Sequence, residues 1–269
     1  MMTEILTLSN GCQITQTTSG NGEKYLLYLH GGGFVYGSKN DLPQALAQPF
    51  LEAGYTILAM DYLLAPNHSL KDILTSIYDS FAELKATIIK DAPFSFCGRS
   101  AGGYAILALT AHLLQTNAPL PERLIQFYGY YDLAFIQDKR KLTTTTITSE
   151  MIATIDQTQP VWDDPLLQRY VLYMYGVQQQ KLTDYYRVTE QTKEDFTISD
   201  ELFKRFPPTF STASTTDAEV PFKYSKSLKR LIPACKFVPV YDLEHDFLKQ
   251  PENEQVQKVF QQLTTWLNT

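Results

Sequence analysis

Apolar and polar positions along this chain change period repeatedly, and each change marks an element. Glu4 to Leu8 and Cys12 to Thr17 flank Gly11 and read as a short antiparallel hairpin. Lys24 to His30 holds the run Tyr-Leu-Leu-Tyr-Leu. An unbroken apolar run of that length suits a strand buried on both faces of a parallel sheet. Asp41 to Ala53 has apolar residues at 42, 46, 50 and 51, a helical spacing that Gly54 ends. Thr56 to Met60 is a second buried strand. Leu70 to Ile89 repeats apolar residues at 70, 73, 74, 77, 78, 81 and 84, which predicts a long amphipathic helix. Phe94 to Cys97 follows Pro93 as a strand. Gly102 to Leu114 is apolar on most sides and predicts a buried helix.

Later strands are expected at Leu124 to Tyr128, Pro208 to Ala213 and Lys236 to Tyr241. A helix over Glu219 to Leu231, with Pro221 in its first turn, separates the last two. Glu252 to Leu267 closes the chain with apolar residues at 256, 259, 260, 263 and 267. Strand and helix alternate throughout, which predicts an α/β protein. Its eight-stranded sheet is mostly parallel, has helices on both faces and an antiparallel first edge. The alternation fails between Asp132 and Phe206, a stretch rich in Thr, Gln, Asp and Tyr. At about 75 residues it is too long for an ordinary connection. Helices are expected there at Leu166 to Tyr175 and around Ser149 to Ile155. The stretch reads as a helical cap inserted over approximately 132–206 of a single domain.

Composition adds limits. The 269 residues are 44% hydrophobic and 19% charged, enough for a real core. A net charge of -6, with no long basic run, argues against nucleic acid as a partner. Cysteines at 12, 97 and 235 form neither a disulfide framework nor a metal knuckle. No leader or membrane-length apolar stretch is visible, so the expectation is a cytoplasmic protein without membrane insertion.

The glycines carry the chemistry. Only 13 are present, yet 31–33 and 98, 102 and 103 form two clusters behind apolar runs. Gly98-Arg99-Ser100-Ala101-Gly102 is a G-x-S-x-G pattern between a strand and a helix, the context in which a strained turn exposes a nucleophilic serine. His30-Gly31-Gly32-Gly33 ends a core strand, so its backbone amides, with that of Ala101, could stabilise an oxyanion. A phosphate-cradling loop is the rival reading, but the Lys-Ser/Thr end it needs is missing. Of four histidines, His245 alone lies past the last strand and follows every candidate acid, which makes it the best base. Asp217, after the strand 208–213, is the best acid; Asp242 and Glu244 could compete, and Asp246 is expected to face elsewhere.

Together these residues resemble the hormone-sensitive-lipase-like α/β-hydrolases, the α/β hydrolase fold-3 family. The anchors are His30 to Gly37, Asp61-Tyr62-Leu63-Leu64-Ala65-Pro66, Gly98 to Gly103, Asp217 and His245. The resemblance implies the α/β-hydrolase fold, a Ser100, Asp217 and His245 triad, and oxyanion amides from Gly32 and Gly33. It implies a carboxylesterase for short- to medium-chain acyl esters, with no metal or cofactor. An amidase, peptidase or deacetylase with the same triad, or a non-catalytic binding module, are the alternatives. Departures from the family pattern are Arg99 in place of an acid, Leu63 in place of Arg, and a Ser214-Thr215-Thr216 loop without glycine. Phe34 and Tyr36 beside the glycine loop, and Arg99 beside the serine, are the expected substrate-binding side chains. Cap aromatics such as Tyr170, Tyr173, Tyr185 and Tyr186 either line the site or pack the insert. The last strand and helix offer an edge for a homodimer.

Overall fold

The computed structural model describes residues 1–20 and 22–269. Among these described residues are eight strands, β1 (Met2–Thr7), β2 (Gln13–Thr18), β3 (Lys24–Leu29), β4 (Tyr55–Met60), β5 (Phe94–Arg99), β6 (Leu124–Phe127), β7 (Thr209–Ser214) and β8 (Cys235–Val240). They form one sheet in the order β1-β2-β4-β3-β5-β6-β7-β8. β1 and β2 are antiparallel to each other, and β2 is antiparallel to β4. From β4 to β8 every pairing is parallel. The chain therefore has the mostly parallel α/β sheet that the alternating pattern predicts, arranged as the α/β-hydrolase fold that the resemblance implies.

Alternation along the strands feeds two separate cores. Leu27 and Leu29 of β3 face one cluster with the helices α2 (Leu70–Leu84), α3 (Ala101–Gln115) and α8 (Lys223–Leu231). Leu26 and Tyr28 face the other, with α1 (Gln44–Glu52) and α9 (Glu254–Leu267). β4, β5 and β7 are buried at all six positions, as strands covered on both faces must be. α3 buries 13 of its 15 residues, which explains its lack of a polar face.

Several boundaries move, each for a local reason. α2 ends at Leu84 and gives way to a π-helical turn over Lys85–Ile89. α8 begins at Lys223, so Pro221 precedes the helix instead of sitting in its first turn. The Glu219 and Val220 amides donate to the Asp217 carboxylate, which diverts the chain before the helix can start. Between β6 and β7 lie four short helices, α4 (Ser149–Ile152), α5 (Tyr170–Gln178), α6 (Leu182–Tyr186) and α7 (Asp200–Phe203). α5 starts later than the expected Leu166 because Leu167 takes a left-handed φ of 55° and both leucines stay exposed.

This segment is bolted to the sheet near the glycine loop. Arg169 donates to the carbonyls of Val35 (2.9 Å) and Ala65 (2.8 Å). The Asp164 amide donates to the Gly37 carbonyl (2.7 Å). Among the described residues no helix is long and apolar enough to cross a membrane.

Candidate active site

β5 delivers Ser100 to the C-terminal edge of the sheet, in the middle of the parallel strands. The serine takes φ 51° and ψ -117°, a strained conformation for a residue with a side chain. Two glycines make the turn possible. A Cβ on Gly98 would collide with the Gly102 carbonyl oxygen, and one on Gly102 with that of Leu29. The Ser100 amide donates to the Phe127 carbonyl (2.9 Å), locking the turn to β6. Ala101 is the first residue of α3, where helical amides have no carbonyl one turn back. The partial positive charge of the helix N-terminus gathers there.

The three separated residues meet. His245 Nε2 lies 2.9 Å from Ser100 Oγ, and its Nδ1 lies 2.6 Å from Asp217 Oδ2. The carboxylate is fixed from behind, because Asp217 Oδ1 accepts from the amides of Glu219 (2.8 Å) and Val220 (2.9 Å). With Nδ1 donating to a carboxylate, the neutral ring presents Nε2 as an acceptor to the serine hydroxyl. Burial works to lower the pKa of His245. The carboxylates of Asp217, Glu219 and Asp246 outweigh it and push the imidazole up to about 9. Neither Asp242 nor Glu244 bonds the ring. Asp246 faces away, toward Arg99 and Tyr128.

The loop after β3 closes against this elbow. The Gly32 carbonyl accepts from the amides of Val35 (2.9 Å) and Tyr36 (3.1 Å), and Gly32 has φ 100°. A Cβ there would strike the Tyr36 carbonyl oxygen; one on Gly33 would strike the Tyr173 ring. A Cβ on Gly31 would lie 3.4 Å from Ser100 Cβ, so the loop runs alongside the serine. His30 braces the loop. Its Nδ1 donates to the Gly31 carbonyl (2.7 Å), and its ring stacks on Tyr62 at 4.0 Å. Burial holds its imidazole low. Tyr62 donates back to the carbonyls of His30 (2.9 Å) and Gly31 (3.1 Å). Asp61, its neighbour, is buried and accepts from the Lys39 amide (2.7 Å) and ammonium (2.6 Å), pinning the far end of the loop.

The segment between β6 and β7 reaches the same loop. Tyr186 donates to the Gly33 carbonyl (2.7 Å), and Tyr173 donates to Glu219 Oε2 (3.3 Å). These two aromatics therefore stand over the glycine loop, a role their sequence context does not reveal. Tyr36 is half-buried and packs edge-on against Tyr170 at 5.3 Å, at the cap boundary where a pocket wall is expected.

Two expected substrate contacts are corrected. Phe34 has no exposed surface; it packs edge-on against Tyr62, Tyr104 and Tyr186 and supports the loop from inside the core. Arg99 is also buried. As the last residue of β5 it projects to the other face of the sheet from Ser100, among Tyr28, Tyr128, Asp41 and Asp246.

Known proteins share this architecture. A family model described as alpha/beta hydrolase fold matches residues 26–249. An esterase from Acinetobacter venetianus is 28% identical over 113 residues, covering 42% of this chain and 37% of its own. A carboxylesterase/phospholipase, LipF, from Mycobacterium tuberculosis is 33% identical over 111 residues, covering 41% and 30%. The chain thus spans about a third of the length of these curated relatives. A crystal structure of an alpha/beta hydrolase superfamily protein from Enterococcus faecalis is 48% identical with a TM-score of 0.96, covering 99% of this chain and 98% of that one. A Staphylococcus aureus protein of unknown function has the same fold at 24% identity, with a TM-score of 0.86 over 100% and 98% of the two chains.

Proposed function

We propose, from the premise that this chain belongs to the alpha/beta hydrolase fold family, that it is a serine carboxylesterase working through an acyl-enzyme. The observation that carries the reading is the unbroken relay from Asp217 through His245 to Ser100, at 2.6 and 2.9 Å. Hydrolytic names among the curated relatives support it.

In the first step the Ser100 oxygen bonds to an ester carbonyl carbon while His245 Nε2 takes its proton. The carbonyl electrons move onto oxygen, and the amides of Gly32, Gly33 and Ala101 hold that charge. Each such donor contributes on the order of 10²–10³ in rate. Collapse breaks the bond to the alcohol, which leaves with the proton held on His245. Water then attacks the acyl-serine, giving its proton to Nε2, and the acid departs as Ser100 is restored. Asp217 stabilises the imidazolium in both steps and keeps its own charge.

A preference for short to medium acyl groups over long ones is what the family resemblance implies. An acyl-length series of p-nitrophenyl esters, run beside matched anilides, tests the substrate class. Short esters should turn over fastest and anilides slowly; anilide turnover at ester rates would make the protein an amidase. Ser100→Ala should abolish both turnover and labelling by a fluorophosphonate probe. Wild-type protein that resists the probe would refute a catalytic role and leave a binding module.

A further inference from the structure

Arg99 is 4% exposed and sits one residue before the nucleophile. A buried guanidinium is costly unless its charge is matched and its donors are used. Both conditions hold, and the partners come from four separate segments. Nε donates to Tyr28 on β3 (2.7 Å). Nη2 donates to the carbonyl (3.2 Å) and carboxylate (2.5 Å) of Asp41, in the turn after the glycine loop. Nη1 donates to Asp246 beside His245 (3.0 Å) and to the Tyr128 hydroxyl at the end of β6 (3.4 Å). Two phenols complete the ring of bonds, since Tyr28 donates to Asp41 (2.8 Å) and Tyr128 to Asp246 (2.6 Å).

This cluster touches the His245 loop twice. Asp246 is the next residue in the chain, and the Tyr128 ring lies 4.7 Å from the His245 ring at 60°. We infer that Arg99 is a positioning residue: by clamping Asp246 and Tyr128 it holds the His245 ring against Ser100 and keeps the Asp246 carboxylate turned away from it. The inference rests on the reading of His245 as the base. Its physical content is a matter of charge as well as place. Three carboxylates surround the imidazole, those of Asp217 and Glu219 after β7 and of Asp246 after β8, with the neutral phenol of Tyr128 on the β6 side. Asp217 must be the only one to receive Nδ1–H. Arg99 pairs the one nearest in sequence, and the exposed Lys249 holds its other oxygen at 3.0 Å. Freed from Arg99, Asp246 would favour the protonated ring and compete for Nδ1.

The test is a charge cycle read on the pH profile of kcat/KM for a neutral ester, and on the pH dependence of fluorophosphonate labelling. Arg99→Met leaves Asp246 only the exposed Lys249 as a cationic partner and should move the acid limb upward by roughly half to one pH unit, with kcat reduced at least tenfold and KM little changed. Asp246→Asn removes a carboxylate and leaves the cation, so the limb should move downward by a similar amount. Arg99→Met with Asp246→Asn should return the limb close to wild type while kcat stays low. Asp246 is 27% exposed, so its single variant carries the test if Arg99→Met does not fold. Limbs that stay fixed, or move together in one direction, would overturn the inference and reduce Arg99 to a packing element. A wild-type protein without turnover or labelling would instead refute the esterase reading, a separate outcome.

Discussion

Asp217→Asn tests the relay most sharply, because the surroundings dictate how the new amide must sit. Asp217 Oδ1 accepts two backbone amides, from Glu219 and Val220. An asparagine keeps those bonds only by leaving its oxygen there, which turns its NH2 toward His245 Nδ1. A donor at that place forces Nδ1 to accept, so the ring proton moves to Nε2 and the serine hydroxyl loses its acceptor. Tautomer inversion of this kind costs about four orders of magnitude in kcat in serine hydrolases. The charge is lost as well. His245 stands at about 9 against an ordinary 6.5, a gap worth about 3 kcal/mol at about 1.4 kcal/mol per pH unit. His245 is only 8% exposed, so solvent screens little of it.

Two measurements follow from the sign of that gap. The base must be neutral, so wild-type kcat/KM should climb with pH toward about 9, whereas the residual activity of Asp217→Asn should have its acid limb well below that. For stability, a pKa raised in the folded state contributes fully below the unfolded value of 6.5 and is lost as pH rises through about 9. The variant should therefore unfold more easily than wild type at pH 6, by on the order of 3 kcal/mol in urea titrations, with the difference fading by about pH 10. Asp217→Ala has no amide to impose the wrong tautomer and should keep more activity than Asp217→Asn. An asparagine variant retaining a tenth of wild-type kcat/KM, or keeping a limb near 9, would refute this reasoning.

Gly32→Ala should lower kcat by about 10² or more while KM for a short ester changes little, since the new methyl strikes the Tyr36 carbonyl and the φ of 100° penalises any side chain. A methyl tolerated without loss of rate would mean that the loop does not hold the oxyanion. Lys39→Met should cost roughly 3–5 kcal/mol in urea unfolding, because it strands the buried Asp61 carboxylate. Asp61→Asn added to it should recover part of the loss, and a single variant as stable as wild type would show that the pair does not fix the loop end.

What the amino-acid pattern reveals and what it hides divide along a physical line. Strands announce themselves as short apolar runs because both sheet faces are covered, and the loops at their C-terminal ends are then known by position alone. Ser100, Asp217 and His245 follow β5, β7 and β8 in turn, so placing the strands brings all three to one edge before any distance is known. Gly98 and Gly102 of the elbow and Gly32 of the loop are legible for a related reason: no side chain fits where backbone meets backbone. Arg99 has no such signature. Its partners Tyr28, Asp41, Tyr128 and Asp246 lie 71, 58, 29 and 147 positions away. Each alone is an ordinary polar residue, Tyr28 and Tyr128 at the ends of β3 and β6, Asp41 and Asp246 in loops. Beside the serine, an arginine suggests a substrate contact, and only the alternation of β5 sends it to the opposite face. The segment between β6 and β7 is obscure for another reason. α5 buries Leu172, Tyr173, Met174, Gly176 and Val177 around its circumference, so it has no polar stripe to date its ends. Its tyrosines gain meaning only when Tyr173 and Tyr186 are seen over Gly33. Residues tied to strand ends can thus be read from order along the chain, whereas those behind them are fixed by side-chain direction and distant partners, which is why Ser100, Asp217 and His245 show in the sequence and the pairing of Arg99 with Asp246 does not.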